Sequence, residues 1–132
     1  MLHILLVEDS PADALMVREA VSIAPVKADL QIARDGEQAF QLLNDFHFEP
    51  DIVFMDLGVP GLDGFEFLRC VRARRDTPVI VLSGSVDPAD VERALKMGAR
   101  EYIVKPCQVN EFLGKLSDAI GRWSSQDLSR GA

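Results

Sequence analysis

The sequence has few cysteines and no long apolar run, and each shortage excludes a class of protein. Its two cysteines, Cys70 and Cys107, show neither metal-binding spacing nor the density of a disulfide-rich fold. We interpret both as reduced, incidental thiols, which fits a cytoplasmic protein. No segment resembles a secretory signal or a membrane span, because the first apolar run is short and leads straight into acidic residues.

Basic residues are also scarce, since 14 Lys and Arg stand against 21 Asp and Glu, for a net charge of −7. Nucleic-acid-binding domains usually carry a basic face that neutralises phosphates, so we do not expect this function. The sequence has no cluster of histidines and cysteines, which argues against a zinc site. A hydrophobic content of 48% with 27% charged residues is ordinary for a globular protein.

Short apolar runs alternate with longer segments of helical period, which is typical of β-α units around a parallel sheet. The predicted strands cover residues 3–7, 29–33, 51–55, 78–83 and 101–104. Helix start signals follow the first four strands at Ser10-Pro11, Asp35-Gly36, Gly64 and Asp87-Pro88. The last helix is predicted from apolar residues at helical spacing, which begin at Val109 and end at Trp123 and are expected on its buried face. Five strands and five helices predict a doubly wound, flavodoxin-like α/β fold with strand order 2-1-3-4-5.

The last helical pattern ends near Trp123, and the residues after it are polar. They read Ser-Ser-Gln-Asp-Leu-Ser-Arg-Gly-Ala and show no apolar helical face. We therefore predict one domain over residues 1–123 and a polar C-terminal tail over residues 124–132.

Polar residues stand where four of the predicted strands end. Glu8 and Asp9 follow the first strand, Asp56 follows the third, Ser83 is the last residue of the fourth and Lys105 follows the fifth. The carboxyl ends of parallel strands meet at one edge, where open α/β sheets bind ligands. We therefore expect these five side chains to lie near one another.

Three carboxylates at one edge repel each other unless a cation joins them. Mg²⁺ is the expected cation, with Mn²⁺ as the alternative, because it takes oxygen ligands and keeps waters that phosphate oxygens can replace. A carboxylate beside the metal, such as Asp56, can attack phosphorus and form an aspartyl phosphate. Lys105 would offset the charge on the phosphoryl oxygens and Ser83 would donate a hydrogen bond to one of them.

Four segments at these strand ends resemble the receiver domain of two-component response regulators, in the CheY-like, single-domain form. They read Val-Glu-Asp-Ser, Phe-Met-Asp-Leu-Gly-Val-Pro-Gly-Leu-Asp-Gly, Val-Leu-Ser-Gly-Ser and Tyr-Ile-Val-Lys-Pro, in the family's order. The resemblance covers roughly residues 2–122. It implies that Asp56 accepts a phosphoryl group from a histidine kinase, and that Glu8, Asp9, Asp56 and the backbone carbonyl of Gly58 hold Mg²⁺.

The resemblance also implies a switch. Ser83 and Lys105 would bind the phosphoryl group, and Pro106 would follow a cis peptide bond. Tyr102 would turn inward when Ser83 moves toward the phosphate. The surface that changes would comprise the fourth helix, the fifth strand and the fifth helix.

Together these features predict a stand-alone response regulator whose only catalysis is its own phosphorylation and dephosphorylation. Its alternatives within the family are a phosphate sink and a phosphorelay intermediate. The opening Val-Glu-Asp-Ser-Pro-Ala-Asp is similar to regulators paired with phytochrome-type photoreceptor kinases. The downstream protein is left open, and a homodimer through the switching surface is a further option. Asp13 is interpreted as a helix-capping acid.

Two other classes on related scaffolds fit the residues less well. A haloacid-dehalogenase-type phosphatase would need a second aspartate two residues after Asp56, where this chain has Gly58. A flavodoxin-like electron carrier would need a phosphate-binding loop after the first strand, where Glu8 and Asp9 would repel the FMN phosphate.

Overall fold

The computed structural model describes residues 1–45, 47–74, 76–106 and 108–131, with residues 125–131 described by their backbone alone. Strands and helices alternate along the chain. They are β1 (Leu2–Val7), α1 (Pro11–Ile23), β2 (Ala28–Ala33), α2 (Gly36–Asn44), β3 (Ile52–Asp56), α3 (Gly64–Arg74), β4 (Val79–Ser83), α4 (Pro88–Lys96), β5 (Glu101–Val104) and α5 (Val109–Gly131). Cys107, interpreted above as an incidental thiol, lies outside the described residues.

The strands form one parallel sheet in the order β2-β1-β3-β4-β5. The predicted fold class and strand order are confirmed. Because β3 lies at the centre of this order, Asp56 at its end is flanked by the end of β1 on one side and the end of β4 on the other.

Two hydrophobic cores cover the sheet, one on each face, and the strands supply them by alternation. Val53 and Met55 pack on the side of α2, α3 and α4, while Ile52 and Phe54 pack on the side of α1 and α5. These four side chains are fully buried, and burying each of them contributes roughly 1.5–3 kcal/mol. The continuous apolar runs of the sequence therefore reflect central strands covered on both faces.

Helices α1, α2 and α4 begin at their predicted capping residues. The Ser10 hydroxyl accepts a hydrogen bond from the Asp13 N–H at 3.3 Å, with proline in the first turn of α1. Asp35 and Asp87 cap α2 and α4 in the same way. These caps determine where each helix leaves the loop that follows its strand.

Two glycines allow close approaches that side chains would prevent. Gly98 ends α4 with a φ of +109°, as predicted for a left-handed C-terminal residue. At Gly36 a Cβ atom would lie 2.2 Å from the carbonyl oxygen of Gly61. The start of α2 therefore packs directly against the loop that follows Asp56.

Helix α5 differs from its prediction at both ends. Val109, expected on the buried face, is 57% exposed, since it lies in the first turn, before the helix packs on the sheet. The backbone stays helical to Gly131, so the helix continues past Trp123, where its apolar pattern ends. Extending an existing helix adds one hydrogen bond for each residue ordered, without a new nucleation cost. The domain limits 1–123 and 124–132 stay a prediction.

Among the described residues, the structure contains no helix that is both long enough and apolar enough to cross a bilayer.

Candidate functional site

The ends of β1, β3 and β5 bring charged side chains to one ammonium group. The Nζ atom of Lys105 lies 2.8 Å from Asp56 Oδ2, 2.9 Å from Glu8 Oε2 and 2.7 Å from Asp13 Oδ2. A lysine ammonium has three N–H donors, so each of them is engaged by a carboxylate. The predicted convergence of Lys105 with Asp56 and Glu8 is present.

Glu8 is the most deeply buried of these acids, with a side chain that is 0% exposed. Burial raises the pKa of its carboxyl group to about 7, although the hydrogen bonds from Lys105 and from the Ser10 N–H lower it in part. Burial of this carboxyl group therefore disfavours its charged form in the unliganded site. A cation at this edge would favour the charged form.

At Lys105, burial has a smaller effect on the pKa than the hydrogen bonds have together, in contrast to Glu8. Burial acts to lower the pKa of its ammonium group, but the hydrogen bonds to Asp13, Asp56 and Glu8 outweigh burial and raise the pKa above its ordinary value. The group therefore stays positive at neutral pH. It supplies a fixed positive charge beside Asp56.

Three carboxylates at this edge are close enough to share a cation. Glu8, Asp9 and Asp56 each offer an oxygen, and these oxygens lie within 4.8 Å of one another. Asp9 is exposed and Asp56 is half-buried, so the cluster is open to solvent on one side. A set of hard oxygen donors with room for water fits Mg²⁺ or Mn²⁺.

The loop after β3 holds the carboxylate of Asp56 in place. The Gly58 N–H donates to Asp56 Oδ1 at 2.8 Å, while Oδ2 faces Lys105. Both oxygens of the predicted acceptor therefore have protein partners. The use of the Gly58 carbonyl as a metal ligand stays a prediction.

The end of β4 is connected to β5 through a short chain of hydrogen bonds. The buried Ser83 hydroxyl accepts from the Ser85 N–H at 3.1 Å, and the Ser85 carbonyl accepts from the Tyr102 hydroxyl at 3.2 Å. The Lys105 N–H also donates to the Ser83 carbonyl at 2.8 Å. A movement of Ser83 would therefore alter the hydrogen bonds of Tyr102 in β5 and of Lys105 just after β5. The switch role of Tyr102 stays a prediction.

Asp13 is the site residue that the sequence reasoning missed. Its interpretation as a capping acid is wrong for the side chain, because Ser10 supplies the cap and the Asp13 carboxylate binds Lys105. A signal was present in its position. Asp13 stands four residues after Asp9, in the first turn of the helix that leaves this edge of the sheet.

The expected cis peptide bond before Pro106 is also wrong. None of the peptide bonds among the described residues is cis, so the bond between Lys105 and Pro106 is trans. The trans isomer is the intrinsically favoured one, by about 0.5–1 kcal/mol. With this isomer Lys105 reaches all three of its carboxylate partners.

The fold with this acidic edge is that of the CheY-like α/β proteins. The model of the response regulator receiver domain family matches residues 4–117. The chain therefore belongs to this family, the receiver domains of two-component response regulators. Such regulators are phosphorylated by histidine kinases, and their receiver domains bind a divalent metal.

One curated relative is a protein-glutamate methylesterase/protein-glutamine glutaminase of Anaeromyxobacter dehalogenans. It is 42% identical over 105 residues, which cover 76% of this chain and 29% of the relative. The chain spans 29% and 51% of the length of the first two curated relatives that it matches. The similarity therefore concerns only a part of each of these relatives.

Two solved structures resemble nearly the whole chain. The phosphorylated cyanobacterial phytochrome response regulator RcpA is 27% identical, with a TM-score of 0.85 and 94% of both chains covered. The Mn²⁺-bound form of response regulator Rcp1 is 27% identical, with a TM-score of 0.84, and the match covers 93% of this chain and 94% of that one. Phytochrome-associated receivers are thus among the structural neighbours.

Proposed function

We propose that this receiver accepts a phosphoryl group on Asp56 from a histidine kinase, in a reaction that depends on Mg²⁺. The observation that carries the proposal is the geometry at the end of β3. There the Asp56 carboxylate lies 2.8 Å from the Lys105 ammonium and shares an acidic cluster with Glu8 and Asp9.

An oxygen of Asp56 attacks the phosphorus of a phosphohistidine on the kinase. The new P–O bond forms as the P–N bond breaks, and the electron pair of that bond leaves with the imidazole nitrogen. Lys105 offsets negative charge on the phosphoryl oxygens, and the Gly58 N–H orients the attacking carboxylate. Glu8, Asp9 and Asp56 would hold the Mg²⁺, which supplies further charge compensation when bound.

The phosphorylated state would signal through the surface formed by α4, β5 and α5. Ser83 is the proposed sensor, because its hydroxyl lies at the site edge and its loop also carries the carbonyl that accepts from Tyr102. If Ser83 turns toward the phosphoryl group, it gives up the hydrogen bond from the Ser85 N–H. The loop and Tyr102 are then released to take a second arrangement.

The kinase is proposed to be of the phytochrome type. Two observations support this pairing: the Val-Glu-Asp-Ser-Pro-Ala-Asp opening and the similarity to the phytochrome response regulator RcpA. Phosphotransfer profiling against the histidine kinases of the host tests it. Fastest transfer from a kinase without a photoreceptor module would contradict the pairing.

Incubation with acetyl phosphate and Mg²⁺ tests the acceptor site without a kinase. The intact mass should rise by one phosphoryl group, and the adduct should be stable in acid and labile in base. Asp56→Asn should abolish the adduct, while the control Asp29→Asn, on the edge strand β2, should be modified like the wild type. Equal modification of Asp56→Asn would show that Asp56 is not the acceptor.

Two finer points of the function stay predictions with their own tests. Action without an attached output domain is tested by the mass of the native gene product. Dimerisation through α4, β5 and α5 is tested by size-exclusion chromatography with and without beryllofluoride, a stand-in for the phosphoryl group. An elution volume that does not change would contradict activation-driven dimerisation.

A further inference from the structure

Asp13 has no place in the acceptor or metal roles proposed so far, although its carboxylate contacts Lys105 at 2.7 Å. Among the described residues, the acidic group able to share a cation comprises Glu8, Asp9 and Asp56, without Asp13. Capping of α1 does not need the Asp13 side chain either, because the Ser10 hydroxyl caps the helix by accepting from the Asp13 backbone N–H. Its contact with Lys105 therefore calls for another explanation.

The Lys105 ammonium has no spare donor. Its three N–H groups are taken by Glu8, Asp13 and Asp56. A phosphoryl oxygen on Asp56 can receive one of these N–H groups only if a carboxylate gives way. Glu8 and Asp56 can turn their oxygens to a cation, whereas Asp13 lies outside that cluster and would stay on the ammonium.

We propose that Asp13 is a positioning residue that competes with the phosphoryl group for Lys105 and so weakens the hold on that group. The inference rests on the proposed function, because it takes Asp56 as the phosphoryl acceptor. The Asp13 carboxylate directs the ammonium toward α1 and adds negative charge near a dianionic group. Its removal frees the remaining N–H donor and lets the ammonium turn from α1 toward the phosphoryl oxygen.

Beryllofluoride titration at saturating Mg²⁺, followed by calorimetry, tests the inference. Asp13→Asn keeps the side-chain shape and removes its charge, and we expect it to bind beryllofluoride about threefold to tenfold more tightly than the wild type. Asp13→Glu restores the charge and should return the affinity toward the wild-type value. The control Ser10→Ala removes the cap of α1 without touching Lys105 and should leave the affinity unchanged.

The outcomes separate this inference from the proposed function. Unchanged or weaker binding by Asp13→Asn overturns the inference alone, and so does an equal gain in Ser10→Ala, because loosening of α1 would then explain the effect. A wild-type protein that binds no beryllofluoride in the presence of Mg²⁺ overturns the proposed function together with the inference.

A second readout needs neither metal nor phosphoryl analogue. Urea unfolding of Asp13→Asn, Lys105→Gln and the double variant forms a double-mutant cycle. We expect the two changes to be non-additive in the unfolding midpoint, because each removes the same ion pair. Additive midpoints would show that the two side chains do not interact in solution and would overturn the inference.

Discussion

The polar side chains at the two ends of the sheet have different kinds of partner. At the carboxyl edge, which comprises Glu8, Asp9, Asp13, Asp56, Ser83 and Lys105, three carboxylates contact one ammonium, and Asp9 adds a fourth acid beside Glu8 and Asp56. At the amino edge, which comprises His3, Asp51, Arg74 and Thr77, several hydrogen bonds join a side chain to a backbone group, and Arg74 also donates to the Asn44 side chain. There the His3 N–H donates to Asp51 at 2.8 Å, Arg74 donates to the Leu43 carbonyl at 3.1 Å and Thr77 donates to the Pro50 carbonyl at 3.4 Å.

This difference distinguishes an edge that holds structural hydrogen bonds from the edge that carries the candidate site. At the amino edge, the hydrogen bonds given above satisfy backbone groups whose positions are set by the fold. At the carboxyl edge the acids outnumber the one lysine, and burial raises the pKa of Glu8 to about 7. Such an excess of acids lowers the unfolding free energy of the unliganded protein, and binding of a cation at this edge should raise it.

The largest expected effect is that of removing the carboxyl-edge ammonium. Lys105→Met leaves the carboxylates of Glu8, Asp13 and Asp56 without their shared cation, which should cost about 3–5 kcal/mol of unfolding free energy in metal-free buffer. The matched change at the amino edge, Arg74→Met, removes an exposed cation and should cost less than about 1 kcal/mol. Urea unfolding measures both, and equal losses would remove the contrast between the edges.

Mg²⁺ should stabilise the carboxyl edge of the wild type. At one hundred times its dissociation constant the ion adds about 2.7 kcal/mol to the unfolding free energy. Asp9→Asn removes one carboxylate of the cluster, so a given Mg²⁺ concentration should raise its melting temperature by less. The same shift in both proteins, measured by thermal unfolding, would exclude Asp9 from the metal site.

Gly36→Ala tests how the loop after Asp56 is supported. The new Cβ would lie 2.2 Å from the Gly61 carbonyl oxygen, so we expect a loss of about 1–3 kcal/mol in unfolding free energy. The control Gly114→Ala has open space around it and should gain about 0.5–1 kcal/mol from helix propensity. Equal stability of the two variants would show that this contact is not formed.

Thr77→Val should have the smallest effect and act on stability alone. The buried hydroxyl donates to the Pro50 carbonyl, and loss of this hydrogen bond should cost about 1 kcal/mol. Phosphorylation by acetyl phosphate should proceed at the wild-type rate, because the amino edge takes no part in it. A slower rate would link the two edges and break the comparison.

Most of the fold could be predicted because its signals are local. Apolar runs that are buried on both faces marked β3 and β4, and a capping residue marked the start of α1, α2 and α4. The rule that parallel strands end at one edge then brought Glu8, Asp56 and Lys105 together. Local pattern and topology were sufficient for this part of the site.

The errors came from contacts and geometry that no local pattern carries. The Asp13 carboxylate binds a lysine 92 positions away, whereas its local sequence is that of a helix cap. The isomer of the bond before Pro106 was inferred from the family and differs here. The end of the last helix was placed near Trp123 because its apolar pattern stops there, whereas an established helix can continue without an apolar face.

The central claim is that the carboxyl edge alone receives the phosphoryl group. Amide chemical-shift mapping in the presence of Mg²⁺, before and after beryllofluoride is added, tests it most directly. We expect large shifts at Asp9, Asp56, Ser83 and Lys105, extension to Tyr102 and α4, and no change at Arg74 or Thr77. Shifts centred on the amino edge, or none at Asp56, would contradict the account.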